Sequence, residues 1–156
     1  MGALKYFILK VDPAKNMLFN SAESIDFNGN TGPFIQYTPA RIRSIVRKAE
    51  EQGVHDSQPQ NFAPGMTLTD KERAVVKCLH DMPNVVASAA DNFSPAMVAN
   101  YAYDLAKAFN SFYQDTPILK EENAELKQFR VQLCTMVANA LKNTMNILGI
   151  EVPERM

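Results

Sequence analysis

An all-α fold, a helical bundle with an irregular N-terminal segment and loop, is predicted by three features of this sequence. From Ser94 to Tyr113 the apolar residues Val98, Ala102, Leu105, Phe109 and Phe112 recur at steps of three and four, which collects them on one side of an α-helix. A longer pattern of the same period passes through Leu119, Leu126, Phe129, Leu133, Val137, Ala140, Leu141, Met145 and Leu148. Thr69-Asp70-Lys71-Glu72 is a capping box, in which hydroxyl and carboxylate each satisfy an otherwise orphaned backbone donor at a helix start. Packing such faces together makes a bundle, and Val98, Leu105, Phe109, Leu126, Phe129, Leu133 and Val137 are the expected core.

In chain order, residues 2 to 11, GALKYFILKV, form a short apolar run compatible with helix or strand. Asp12-Pro13 ends it, because the residue before proline avoids the α region. An uncapped apolar opening with nothing before it to pack on suggests that Met1 is an added start on a fragment. The segment before Pro33 is then expected to be mobile or to take a substitute partner such as a second copy. Lys15 to Pro33 reads as a compact surface loop, with two asparagines and two glycines between Asn28 and Gly32. Ile42, Ile45, Val46 and Ala49 line the next helix, which Gly53 stops. Two starts fit it: Thr38-Pro39 as a local cap, or Pro33, with Pro39 then inside the helix and bending it. Gly53 to Leu68 is a linker by composition. After the capping box, Val75, Val76, Leu79 and Met82 continue a helix that Pro83 is expected to interrupt, with a second short piece over Val85 to Ala90. Ser94 is the expected cap of the next helix, with Pro95 at its first position, where a missing N–H costs nothing. Its polar side carries Asn100, Tyr103, Lys107, Asn110 and Gln114. The last helix ends at Gly149, and Pro153 keeps the tail from being helical throughout.

With 46% hydrophobic and 21% charged residues over 156 positions, the chain fits one compact domain. No run approaches the roughly 20 apolar residues of a membrane helix, and MGALKYFILKV lacks cleavable signal architecture, so a cytoplasmic setting is expected. Cys78 and Cys134 lie within helical patterns and read as buried thiols. Sixteen Lys and Arg against 17 Asp and Glu leave a net charge of −1, so nucleic-acid binding would rest on a local patch, for which Arg41, Arg43, Arg47 and Lys48 are the candidates. Glu121, Glu122 and Glu125 read as favourable charge at a helix N-terminus. No nucleotide-binding loop and no catalytic or metal-ligating set stands at recognisable spacing.

Several blocks carry a resemblance. Gly2-Ala3-Leu4-Lys5 looks like an Asp-Ala-Leu-Arg segment with its outer letters replaced. Phe27 to Tyr37 followed by Ala40-Arg41-Ile42, Tyr101 to Tyr113, and Leu148-Gly149-Ile150 with the closing Val152 to Met156 follow in order. Together they resemble the C-terminal portion of arginyl-tRNA synthetases, with the DALR anticodon-binding domain at 33–156 and the end of a catalytic core with its connecting loop at 1–32.

That resemblance implies a helical bundle of the class I synthetase anticodon-binding type. It also implies a parent enzyme that joins arginine to its tRNA with ATP and magnesium. Neither a His-Ile-Gly-His nor a Lys-Met-Ser-Lys-Ser segment occurs, so the chain alone is expected to be non-catalytic and to need no cofactor. Its expected partners are the anticodon arm of arginine tRNA and the missing core, with self-association of the fragment as a further expectation. By the same resemblance Phe34, Tyr37, Arg41, Tyr113 and Met156 face the anticodon loop. Rings suit that task because unstacked bases lie on them at about 1–3 kcal/mol per base. A helical protein-interaction module without nucleic-acid binding is the alternative reading, and the absence of salt-dependent tRNA binding would distinguish it.

Overall fold

The computed structural model describes residues 1–55 and 66–153. Among these there are six helices and no strand: α1 (Gly2–Leu9), α2 (Ser21–Ser24), α3 (Gly32–Glu51), α4 (Asp70–Asp91), α5 (Pro95–Asp115) and α6 (Ala124–Ile147). Helix α5 lies at the centre, with α4 along one side of it and α6 along another, while α3 packs on α6 and on α5. Val98, Leu105, Phe109 and Phe112 meet Leu133, Val137, Leu141 and Met145 in a shared core.

Both termini of the expected helices are informative. Thr69 and Glu72 form the capping box at α4 as expected. At α5, Ser94 holds the cap position and Pro95 the first turn, but the Ser94 side chain makes no cap hydrogen bond; its main-chain oxygen accepts from the Met97 N–H at 3.2 Å instead. Asn123 caps α6 by accepting from Leu126 N–H at 3.1 Å, so Leu119 lies before the helix and not in it.

Two prolines stand inside helices. Thr31 caps α3 and Pro33 sits in its first turn, which decides between the two possible starts and leaves Pro39 within a continuous helix. Pro83 likewise lies inside α4, which does not break into two pieces. In both places one intrahelical bond is forfeited, and packing of the flanking turns keeps the helix going.

The face of α6 is rotated from the expected one near its start. Leu126 and Phe129 are half-buried, whereas Gln128 and Arg130 are buried. Arg130 is tolerated there because two carboxylates and a carbonyl meet its guanidinium: Nε donates to Glu72 at 2.7 Å, and Nη1 to the Pro117 carbonyl at 2.9 Å and to Glu121 at 2.5 Å. Glu121 thus serves Arg130 and also accepts from the N–H of Asn123, the cap residue of α6. Burial pushes the Glu72 carboxyl upward, but the Arg130 and Thr69 bonds outweigh it and hold the group below the usual carboxylate range.

The N-terminal run is a helix, α1, and it packs within this chain against α3 and α5. Tyr6 and Phe7 are buried, and the single Tyr6 hydroxyl proton is shared between Asn30 Oδ1 and the Ala99 carbonyl, 2.5 and 2.9 Å from the phenol oxygen. Close approach of α1 to α3 depends on Gly32, where an added Cβ would stand 3.1 Å from both Ala3 Cα and Tyr6 Cβ. The loop after it contains the single-turn α2, capped by Asn20. Cys134 is buried and Cys78 half-buried.

After α6, Gly149 turns the chain with φ of 67°, and Ile150 is buried to 2% exposure. The carbonyls that follow are met by side chains from the other end of the molecule: Lys5 Nζ donates to Gly149 O and Gln36 Nε2 to Glu151 O, each at 2.6 Å. Residues 149–153 thus run, without helix, past α1 and along α3.

Candidate nucleic-acid interface

Four residues apart on α3, Tyr37 and Arg41 share a face, and that face looks toward the C-terminal end of α5, where Tyr113 stands. The Arg41 guanidinium carbon lies 4.7 Å from the Tyr37 ring centroid and 5.5 Å from that of Tyr113. Its Nη1 donates to Asn110 Oδ1 at 3.0 Å; Asn110 Nδ2 donates to Thr38 Oγ1 at 3.4 Å, and Thr38 Oγ1 to the Phe34 carbonyl at 3.2 Å. This chain of bonds holds the guanidinium plane over both rings, an arrangement worth about 0.5–1 kcal/mol when exposed.

Each ring is braced from behind. Tyr113 stacks on the buried Phe109, with centroids 6.2 Å apart and planes 18° from parallel, while Tyr37 meets Phe27 edge-on at 6.4 Å. Phe27 is positioned by the turn before α3, in which Asn28 N–H bonds Asp26 Oδ1 and Thr31 Oγ1 donates to the Asp26 carbonyl. Tyr37 and Tyr113 nevertheless remain 41% and 39% exposed.

Beside the rings a groove of about 420 Å³ opens between α3 and the segment Thr116 to Lys120, with Arg41, Lys48 and Tyr113 on its walls. The buried Arg130 grips Pro117 from beneath, which fixes the height of that wall.

Of the expected site residues, the structure brings Tyr37, Arg41 and Tyr113 together. Phe34 sits one turn earlier on the α3–α5 seam, half-buried, with its ring 5.6 Å from that of Tyr103. Met156 lies outside the described residues. The tail as far as Pro153 runs along a neighbouring face of α3, where Val152 and Pro153 approach Pro39 and Arg43. Asn110 and Thr38, which orient Arg41, were not foreseen as site residues. Asn110 stood among the polar residues of α5 one turn before Tyr113, and that spacing was the available signal.

Comparison with known proteins agrees with this architecture. Arginine–tRNA ligase of Parabacteroides distasonis is 56% identical over the whole chain, and that of Phocaeicola vulgatus 55%. The chain spans about a quarter of the length of these relatives, 26% and 25%. Among solved structures, Thermus thermophilus arginyl-tRNA synthetase superposes with a TM-score of 0.84 at 32% identity, covering 99% of this chain and 26% of that one. The Plasmodium falciparum arginyl-tRNA synthetase gives 0.79 at 26% identity with the same coverage. Residues 35–156 match the DALR anticodon binding domain, and the chain belongs to that family.

Proposed function

We propose that residues 33–156 form the RNA-binding part of an arginine–tRNA ligase and that Tyr37, Arg41 and Tyr113 hold the unstacked bases of the anticodon arm of arginine tRNA. The observation that carries this reading is the guanidinium set over two half-exposed tyrosine rings. Planar surfaces of this kind suit bases lifted out of a stack, and Arg41 adds a cation for a phosphate or a base edge. Phe34 supports the platform from the seam, and Met156 contributes a soft apolar contact by family resemblance. The parent ligase works in the cytoplasm and uses ATP with magnesium; this chain supplies the grip on RNA and not adenylate formation, since none of its segments has the pattern of a nucleotide-binding loop.

The test is titration of labelled arginine anticodon stem-loops and a scrambled loop against the chain at low salt. Tyr113→Ala, Tyr37→Ala and removal of Met156 are each expected to weaken binding by on the order of 1–3 kcal/mol. Wild-type affinity in all three variants, with loop discrimination intact, would refute the site. Absence of any salt-dependent RNA binding would favour a protein-interaction module instead.

A further inference from the structure

Between α5 and α6 the chain runs from Thr116 to Asn123 without helix, and the first part of this connection forms the outer wall of the groove beside Tyr113. A non-helical segment has no hydrogen-bond ladder of its own to hold its shape. Here one buried side chain of α6 does so: Arg130 Nη1 donates to the Pro117 carbonyl and to the Glu121 carboxylate, the two ends of an arch whose middle is Ile118, Leu119 and Lys120. Ile118 is buried in the core, while Lys120 stays exposed on the arch.

The guanidinium is fixed from its other edge by Glu72, which closes the capping box of α4. One carboxylate neutralises an arginine, and Glu72, wholly buried, supplies it. Burial of Arg130 therefore does not call for a second. The Glu121 side chain keeps 20% of its surface in solvent, and what its bond to Arg130 adds is the position of the arch. It is also an anion next to Lys120, on the rim of a groove that adjoins the tyrosine platform, where charge alone opposes a phosphate backbone. A carboxylate at that place is accounted for by what it holds.

We propose that Arg130 and Glu121 are positioning residues for RNA binding: by pinning both ends of the 117–121 arch they hold it at a fixed distance from Arg41 and Lys48 of α3, so that the groove receives RNA beside the Tyr113 ring without first having to order a loop. Ordering that is complete before the encounter appears as affinity. The assignment rests on the RNA-binding reading above and gives that site a preorganised wall.

The test is the affinity of the full chain for a labelled arginine anticodon stem-loop at low salt, at a temperature where urea unfolding shows every variant to be folded. Glu121→Ala frees one end of the arch and leaves Arg130 paired with Glu72. Glu121→Gln removes the same charge but keeps an acceptor for the guanidinium, in a weaker bond than the charge-assisted one. Electrostatics alone predicts that both variants bind RNA more tightly than wild type, and to the same extent. Positioning predicts the opposite sign and an order: Glu121→Ala weaker by about three- to tenfold, as for a wall in place only roughly a third to a tenth of the time, and Glu121→Gln between it and wild type. Glu122→Ala, at the next and exposed position, removes a charge without touching the clamp and should not weaken binding. In the free chain, backbone order parameters of residues 118–121 should fall in Glu121→Ala from about 0.85 toward about 0.6, and recover with RNA bound. Wild-type or tighter binding by Glu121→Ala would overturn the assignment, as would weaker binding with residues 118–121 as rigid as in wild type by relaxation and relaxation dispersion, or an equal loss in Glu122→Ala. Tyr37→Ala and Tyr113→Ala are titrated alongside. If they weaken binding and Glu121→Ala does not, the assignment falls and the RNA-binding reading stands; if they are silent, that reading fails and the assignment with it.

Discussion

Arg130 lies inside the core because Glu72, Glu121 and the Pro117 carbonyl together satisfy it. Arg130→Met leaves Glu72 buried without its counter-charge and is expected to cost about 3–5 kcal/mol in urea unfolding, far more than the exchange of an exposed arginine. The pair also sets an acid limit. Since the Glu72 carboxyl is held below its unfolded value, its contribution is fully present above the unfolded pKa of about 4.3 and is lost as the pH falls through the lower folded value. The urea midpoint should therefore drop below about pH 4, and Glu72→Gln should flatten that drop while lowering stability near neutrality. Leu105, fully buried at the centre of α5, illustrates the ordinary case: Leu105→Ala should cost about 2–5 kcal/mol.

Among the elements, α4 shows how weakly local punctuation binds when packing opposes it. Pro83 is exposed on an unbroken helix, so Pro83→Ala restores a missing backbone donor without leaving a hole. A gain on the order of 1 kcal/mol in thermal melting is expected, less than the full helix-propensity difference because the surrounding turns already accommodate the ring. α1 acts at longer range. Lys5 and Gln36 hold carbonyls of the tail after α6, and Gly2 leaves room for the Ile150 methyl, which a Cβ would approach to 3.2 Å. Lys5→Met should raise amide exchange of residues 150–152 by about tenfold while leaving the middle of α5 protected, a local opening and not global unfolding.

At the scale of the whole molecule, the platform exists only because α3, α5 and the turn before α3 converge. Its rings come from positions 37 and 113, its orienting amide from position 110 and its edge support from position 27. Arg41→Ala should weaken stem-loop binding to a similar extent for different loop sequences and lower the salt slope by about one if a phosphate is its main partner. An effect confined to one loop sequence would assign Arg41 to a base edge instead.

Helix type and the main apolar faces were legible in the sequence, because periodicity and caps are local: the Val98 to Phe112 stripe, the Thr69–Glu72 box and the stop at Gly149 need no distant information. The resemblance supplied the site residues, yet composition and periodicity alone could not separate the exposed rings Tyr37 and Tyr113 from the half-buried Phe34. Tertiary structure decided what depends on partners far along the chain. It made Pro39 and Pro83 interior to helices, since packing of neighbouring turns outweighs one lost hydrogen bond. It turned the first residues of α6 so that Arg130 is buried, because Glu72 and Glu121 meet it there. It docked α1 within this chain, since Tyr6 finds acceptors at Asn30 and Ala99. Hydrophobic spacing is written within one turn of helix, whereas the partner of a buried charge or the neighbour of an exposed ring is set only when separate helices meet.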